Sequence, residues 1–147
     1  MPTVITDPKT LAAKFNDTFN SHNESAIKEL VSPQIRFTAP GEIRLSGKDA
    51  FVGYLSGWLK AVPDARMTIR HEIVSAPWVV QEYTFEGTHK GTLSGPLGEI
   101  AATNKKVVGH GVVLSKWEND LLIESRLYFD MVETLTQLGV MPVPAKN

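Results

Sequence analysis

The sequence predicts a segregated α+β fold: a curved antiparallel or mixed sheet wrapped round three N-terminal helices into a cone. Two observations carry this. Helix-period apolar residues with capping signals fill the chain up to Val62. Four long segments rich in Val, Ile, Thr and aromatics, joined by turn formers, then fill most of the chain from Ala65 to Phe129. The order helix, helix, strand, helix, then four long antiparallel strands is that of segregated α+β.

The elements follow in order. Asp7-Pro8 reads as an N-cap with proline at the first helical position, and Leu11, Phe15 and Phe19 continue that helix to about Asn20. Ser21-His22-Asn23-Glu24 has capping-box spacing and opens a short second helix holding Ile27, Leu30 and Val31, ended by Pro33. Gln34 to Ala39 is a short strand and Pro40-Gly41 a turn. A second box, Ser46-Gly47-Lys48-Asp49, opens a third helix striped by Phe51, Tyr54, Leu55, Trp58 and Val62, and Pro63-Asp64 stops it. Four strands follow, Ala65–Ser75, Trp78–Thr88, Val107–Trp117 and Leu121–Phe129, with Asn119-Asp120 as a tight hairpin turn. Leu93 to Asn104, including Gly95-Pro96-Leu97-Gly98, reads as a longer loop able to cover a cavity mouth. Asp130 and Glu133 open a last helix that Gly139 ends. The expectation is one domain over residues 1–147, with its core at about 8–139 and a loose tail at 140–147.

Bulk properties exclude several function classes. A formal net charge of -1 gives no electrostatic footprint for nucleic acid or an anionic membrane surface, so neither is expected as a partner. With no Cys there are no thiolate nucleophiles, disulfides or sulfur-ligated metals. The start, Met1 to Pro8, lacks a basic segment followed by an apolar one, and apolar runs fall far short of the ~20 residues that span a bilayer. A cytoplasmic protein is the expectation.

Four histidines are present, His22, His71, His89 and His110, none spaced as a helical metal pair, so no metal is expected. His22 reads as a turn residue and His71 as a member of a cross-strand pair. His89, flanked by Gly87 and Gly91, is a structural hydrogen-bonder or a catalytic group. His110 lies between Gly109 and Gly111, which leave room for a large group to approach. Asp130 is a helix cap, a general base whose pKa apolar neighbours Tyr128 and Phe129 would raise, or both. No phosphate loop or nucleophile elbow occurs. In Leu121–Phe129 the face Leu121, Ile123, Ser125, Leu127, Phe129 reads as interior, opposite Leu122, Glu124, Arg126 and Tyr128. Val107–Trp117 is apolar on both faces, so it needs two covers: a cavity on one side and a second copy of the chain on the other.

The segment Gly47 to Trp58, then Pro63-Asp64-Ala65-Arg66, Pro77-Trp78-Val79, Gly87-Thr88-His89-Lys90-Gly91, and Tyr128-Phe129-Asp130 before Gln137-Leu138-Gly139, resemble in order the SnoaL-like polyketide cyclases. The likeness runs from about Leu11 to Gly139. It implies the nuclear transport factor 2-like cone and a cofactor-free chemistry, in which an Asp base abstracts a proton beside a carbonyl and polar groups hold the enolate. Carried over, the base falls on Leu127, two polar positions of the preceding strand on Gly111 and Val113, and an Asn of the first strand on Phe37. All four are apolar or bare, while His110 and Asp130 count to the opposite face.

The resemblance therefore implies cyclisation or isomerisation of a hydrophobic polyketide- or isoprenoid-type molecule by an altered site. Asp130 would be its base, His110 or His89 its polar partner, and Tyr54 and Trp58 its lining. The alternatives are a non-catalytic binder walled by Phe37, Val113, Leu127 and Phe129, or an epoxide-opening enzyme or hydroxylation partner. At least two ionisable groups converging in the cavity would favour catalysis. A lining of carbon and the Ser115 and Ser125 hydroxyls would favour binding.

Overall fold

A computed structural model describes residues 6–95 and 98–141, so the Met1-to-Ile5 start, Pro96-Leu97 and the Pro142-to-Asn147 tail lie outside it. Helix α1 (Pro8–Asn20) begins as expected: Asp7 accepts the Thr10 N–H at 3.0 Å and Pro8 follows. Helix α2 (Glu24–Glu29) is capped by Asn23 rather than Ser21, because Ser21 is still closing α1, where its N–H donates to Asp17. It also ends before Leu30. Val31, expected in that helix, opens strand β1 (Val31–Ala39), which runs through Pro33 where a bulge removes the need for its N–H.

A strand the sequence reading passed over, β2 (Ile43–Ser46), returns from the Pro40-Gly41 turn and pairs with β1. Ser46 pairs there with Arg36, so Gly47 stands at the N-cap of α3 (Lys48–Ala61) with no side-chain cap. Then come β3 (Arg66–Ser75), β4 (Trp78–Thr88), β5 (Leu93–Gly95), β6 (Gly98–Ile100), β7 (Lys106–Glu118), β8 (Leu121–Phe129) and α4 (Met131–Gln137). The expected 93–104 loop thus contains a small hairpin, β5 with β6. Asn119 and Asp120 both have positive φ, as the β7–β8 turn demands. No helix among the described residues is long and apolar enough to cross a membrane.

The main sheet runs β2-β1-β8-β7-β4-β3, antiparallel throughout except where β1 lies parallel to β8. Bulges in β1, β3 and β8 bend it. The β8 bulge corrects one expectation. Trp117 pairs with Leu122 while Lys116 pairs with Glu124, so Ile123 is the extra residue. Leu122, at 2% exposure, therefore joins Ser125 on the inner face, in place of Leu121 and Ile123.

Helices α1 and α3 fill the concave side between two apolar clusters. One gathers Ile27, Ile35, Phe37, Phe51 and Leu122; the other gathers Phe19, Leu59, Val62, Val107 and Leu138. The end of α3 rests on the Gly87-to-Gly91 segment. There Lys90 and Gly91 N–H groups both donate to Ala61 O, at 2.9 and 3.0 Å. Asp64 accepts the Thr88 N–H at 2.7 Å, and that bond holds its carboxyl below the usual carboxylate range. Glycine is required on both sides of this contact, since a β-carbon on Gly87 would overlap Val62 and one on Gly91 would overlap Lys60 O.

Candidate functional site

A cavity of about 100 Å³ lies between the concave face and helices α1 and α3. The period-two alternation of the strands builds its walls. β4 contributes Gln81, Tyr83 and Phe85, β7 contributes Val113 and Ser115, and β8 contributes Ser125, Leu127 and Phe129. Phe37 enters from β1, Asn16 from α1, and Tyr54 and Trp58 from successive turns of α3. Aromatic rings pack against one another around the space. Phe37 and Tyr54 have centroids 4.8 Å apart, and Trp58 meets Phe85 at 5.6 Å and Phe129 at 5.8 Å edge-on.

Phe37, Tyr54, Trp58, Val113, Leu127 and Phe129 all line this space. Gly111 does not. The end of the Tyr83 side chain occupies the volume in front of it, and a β-carbon at 111 would sit 2.5 Å from the phenol oxygen and 2.6 Å from its ring carbon. Gly111 is a bare floor that admits a ring from the neighbouring strand.

Asp130, His110 and His89 line no part of the cavity among the described residues. Asp130 is the N-cap of α4, its Oδ1 accepting the Glu133 N–H at 3.0 Å. His110 is exposed on the outer face, with Nδ1 3.1 Å from Glu133 Oε1. The odd–even count along β7 had already assigned it there. His89 is fully buried, but beside the segment that follows β6. Its Nδ1 accepts the Thr103 N–H at 3.2 Å and lies 2.9 Å from Thr103 Oγ1, while Nε2 has no partner among the described residues. Burial pushes its pKa down, opposed by the Gly91 backbone.

Most polar groups in the cavity wall are occupied by one another. Asn16 Nδ2 donates to Gln81 Oε1 at 3.2 Å, and Gln81 Nε2 donates to Glu72 Oε2 at 2.7 Å. Trp117 Nε1 donates to Ser115 Oγ at 3.0 Å, and that hydroxyl is directed at Val79 O. The two phenols differ. Burial raises the pKa of both Tyr83 and Tyr54, with Tyr54 adding to the effect on Tyr83, so both stay protonated at neutral pH. The sequence reading missed Tyr83, Gln81 and Asn16. The alternation Val79, Gln81, Tyr83, Phe85 was the signal that could have found the first two.

None of the described residues lining the cavity carries a carboxylate, imidazole, ammonium or guanidinium. Among the described residues no three His, Asp or Glu side chains converge as a metal site requires. A second, more open depression runs over β1, β2 and β8. Its Arg36 and Arg126 share the Glu124 carboxylate at 3.2 and 2.9 Å, and Arg126 also covers Trp78 at 5.3 Å.

Residues 9–138 match the family model described as SnoaL-like polyketide cyclase. No curated protein sequence matches at a significant level. Among solved structures, the chain is similar to AclR of Streptomyces galilaeus, provisionally a hydroxylase, at 24% identity and a TM-score of 0.80, over 95% of this chain and 85% of that one. IdmH of Streptomyces antibioticus, provisionally a polyketide cyclase, matches at 20% identity and 0.77, over 92% and 100%. TsrD of Streptomyces laurentii matches at 19% and 0.76, over 90% and 95%. At these identities the likeness establishes the shared fold, a curved, mostly antiparallel sheet with helices on its concave side.

Proposed function

We propose, starting from the fact that this chain belongs to the SnoaL-like polyketide cyclase family, that it binds a hydrophobic polyketide- or isoprenoid-type small molecule in the cavity between the sheet and helices α1 and α3, without a carboxylate base. One observation carries the reading: Leu127, the position to which the resemblance carries the family's base, sits in the cavity wall with Phe37 and Val113, so carbon lines the places where that resemblance would put proton-transfer groups. A general base must come within hydrogen-bond reach of the proton it removes. The Asp130 carboxylate is instead occupied by the first turn of α4.

This favours the binding alternative over cyclisation by Asp130. Titration with the hydrocarbon indane, followed by the fluorescence of wall residues Trp58 and Trp117, tests it. Saturation at one site per chain is expected, with loss in Val113→Trp, whose side chain would fill the space. Absence of saturable binding to a folded wild-type chain would refute the reading.

The proposal includes a homodimer through the outer sheet face, where β7 is apolar on its second side and Tyr128 is 55% exposed. Sedimentation should give the mass of two chains, and a monomer at high micromolar concentration would remove that part.

A further inference from the structure

We infer that helix α4 is the door of the cavity, hinged at Asp130 and latched to β7 by the Gln137 amide, so that a ligand enters and leaves by the swing of this one element. The inference rests on the proposed apolar-ligand site and names the route into it.

Every described residue lining the cavity is buried or half-buried, so a ring-sized molecule passes only when a wall moves. Three helices supply wall outside the sheet: α1, α3 and α4, the last through Thr134. The described residues of the β5–β6 hairpin supply none, although the sequence reading expected that segment to cover the mouth. The first two helices are fixed at more than one point. Helix α1 is tied by Asn16 to Gln81, and by Asn20 to both backbone groups of Met67 at 2.8 and 2.9 Å. Helix α3 is tied at its start by the Gly47 N–H to Ile35 O at 2.8 Å, and at its end by Ala61 O to the Lys90 and Gly91 N–H groups.

Helix α4 has seven residues and is attached differently. Strand β8 stops where Phe129 pairs with Gly111, while β7 runs on to Lys106, which leaves β7 a stretch of edge without a strand. The Gln137 amide stands on that edge in place of a strand residue. Its Oε1 accepts the Val108 N–H at 2.7 Å, and its Nε2 donates to Val108 O at 2.8 Å. Both bonds run through one rotatable side chain, so they are made and released together. Glu133 Oε1 lies 3.1 Å from His110 Nδ1, and the Lys105 side chain rests against Gly139. Gly109 lines the cavity without a side chain, so lifting α4 leaves the wall open beside it. Leu135 and the C-cap Leu138 are buried, and the cost of exposing them keeps the open state rare.

The test opens and locks the door in turn, on the whole chain. Stopped-flow mixing with indane, followed by tryptophan fluorescence, gives association and dissociation rates. Gln137→Met keeps the stem and neither bond, so both rates should rise roughly tenfold while the Kd changes by less than about threefold. The chain has no Cys, so His110→Cys with Glu133→Cys supplies its only thiols. Joined by a short bismaleimide, this variant should exchange indane at least about tenfold more slowly than the same variant capped with a monofunctional maleimide. Native-state amide exchange reads the door without a ligand: residues 131–138 should open more readily than β4, and more readily still in Gln137→Met. Wild-type rates in Gln137→Met overturn the latch. Control rates in the cross-linked chain, or α4 amides that exchange only together with those of β4, overturn the door. Failure of wild type to bind indane would instead overturn the underlying site, and amide exchange would still decide whether α4 opens by itself.

Discussion

Replacing Gly91 with alanine should destabilise the chain by about 2–4 kcal/mol, although Gly91 lies away from the cavity and its φ is not among the positive values. The cost is one of contact. The new β-carbon would overlap Lys60 O and lie 3.1 Å from the Lys60 carbonyl carbon and 3.3 Å from Ala61 Cα, all main-chain atoms of the last turn of α3 that cannot rotate aside. The segment between β4 and β5 must withdraw, and it then stretches two hydrogen bonds to Ala61 O at ~1 kcal/mol each. Withdrawal also loosens Ala61, Val62 and Leu93, which are 0%, 1% and 8% exposed, for a further ~1–2 kcal/mol. The reduced freedom of the unfolded chain returns about 0.5 kcal/mol. Urea denaturation followed by tryptophan fluorescence measures the difference. Gly53→Ala serves as the control: it sits in mid-α3 with nothing within 4 Å of an added β-carbon, and should stabilise by about 0.5–1 kcal/mol. A Gly91→Ala variant within 0.5 kcal/mol of wild type would refute the role given to this contact.

Asp130→Ala should cost ~1 kcal/mol through the lost α4 cap, Asp130→Asn almost nothing, and both should bind indane as wild type does. Loss of binding in the Asn variant would return the carboxylate to the site. His89, whose pKa is lowered in the folded chain, contributes stability that is present above its unfolded pKa of ~6.5 and lost as pH falls below it. Urea midpoints from pH 8 to 5 should therefore fall less steeply in His89→Gln than in wild type, and parallel profiles would contradict this. Leu127→Asp places a carboxyl among carbon, where burial raises its pKa, so the variant should weaken as pH rises from 4 to 8. Equal stability at the two pH values would mean that the position is wetter than described.

Strands Trp78–Thr88 and Leu121–Phe129 were legible to the residue from their β-rich composition, and the Asn119-Asp120 turn fixes the start of the second. Side-chain parity likewise assigned Leu127 and Phe129 to one wall, and the resemblance added Val113 to it. Parity fails at a bulge, and nothing in Leu121-Leu122-Ile123-Glu124 marks Ile123 as the inserted residue, since all three apolar side chains suit either face. Strand β2 escaped notice because four residues flanked by Gly41 and Gly47 give too short a pattern. The Ser21 and Ser46 boxes were misread because each serine belongs to the preceding element, where backbone pairing outweighs a cap. Asp130, His110 and His89 drew attention by chemical type, while Tyr83, which the alternation along β4 places on the cavity wall, owes its seat to bare Gly111 on the next strand, and single-strand periodicity does not register that fit.

The parallel pairing of β1 with β8 joins Val31 to Leu122 and Thr38 to Arg126, partners distant in the chain, whereas β3, β4, β7 and β8 follow one another as antiparallel neighbours. Loop closure makes such a long-range pairing slow, so the meander should assemble first and β1 dock late. Phe37 arrives with β1, so the cavity should be complete only once β1 has docked. A ligand would then slow unfolding without speeding folding, and occupancy would appear as kinetic persistence of the native chain.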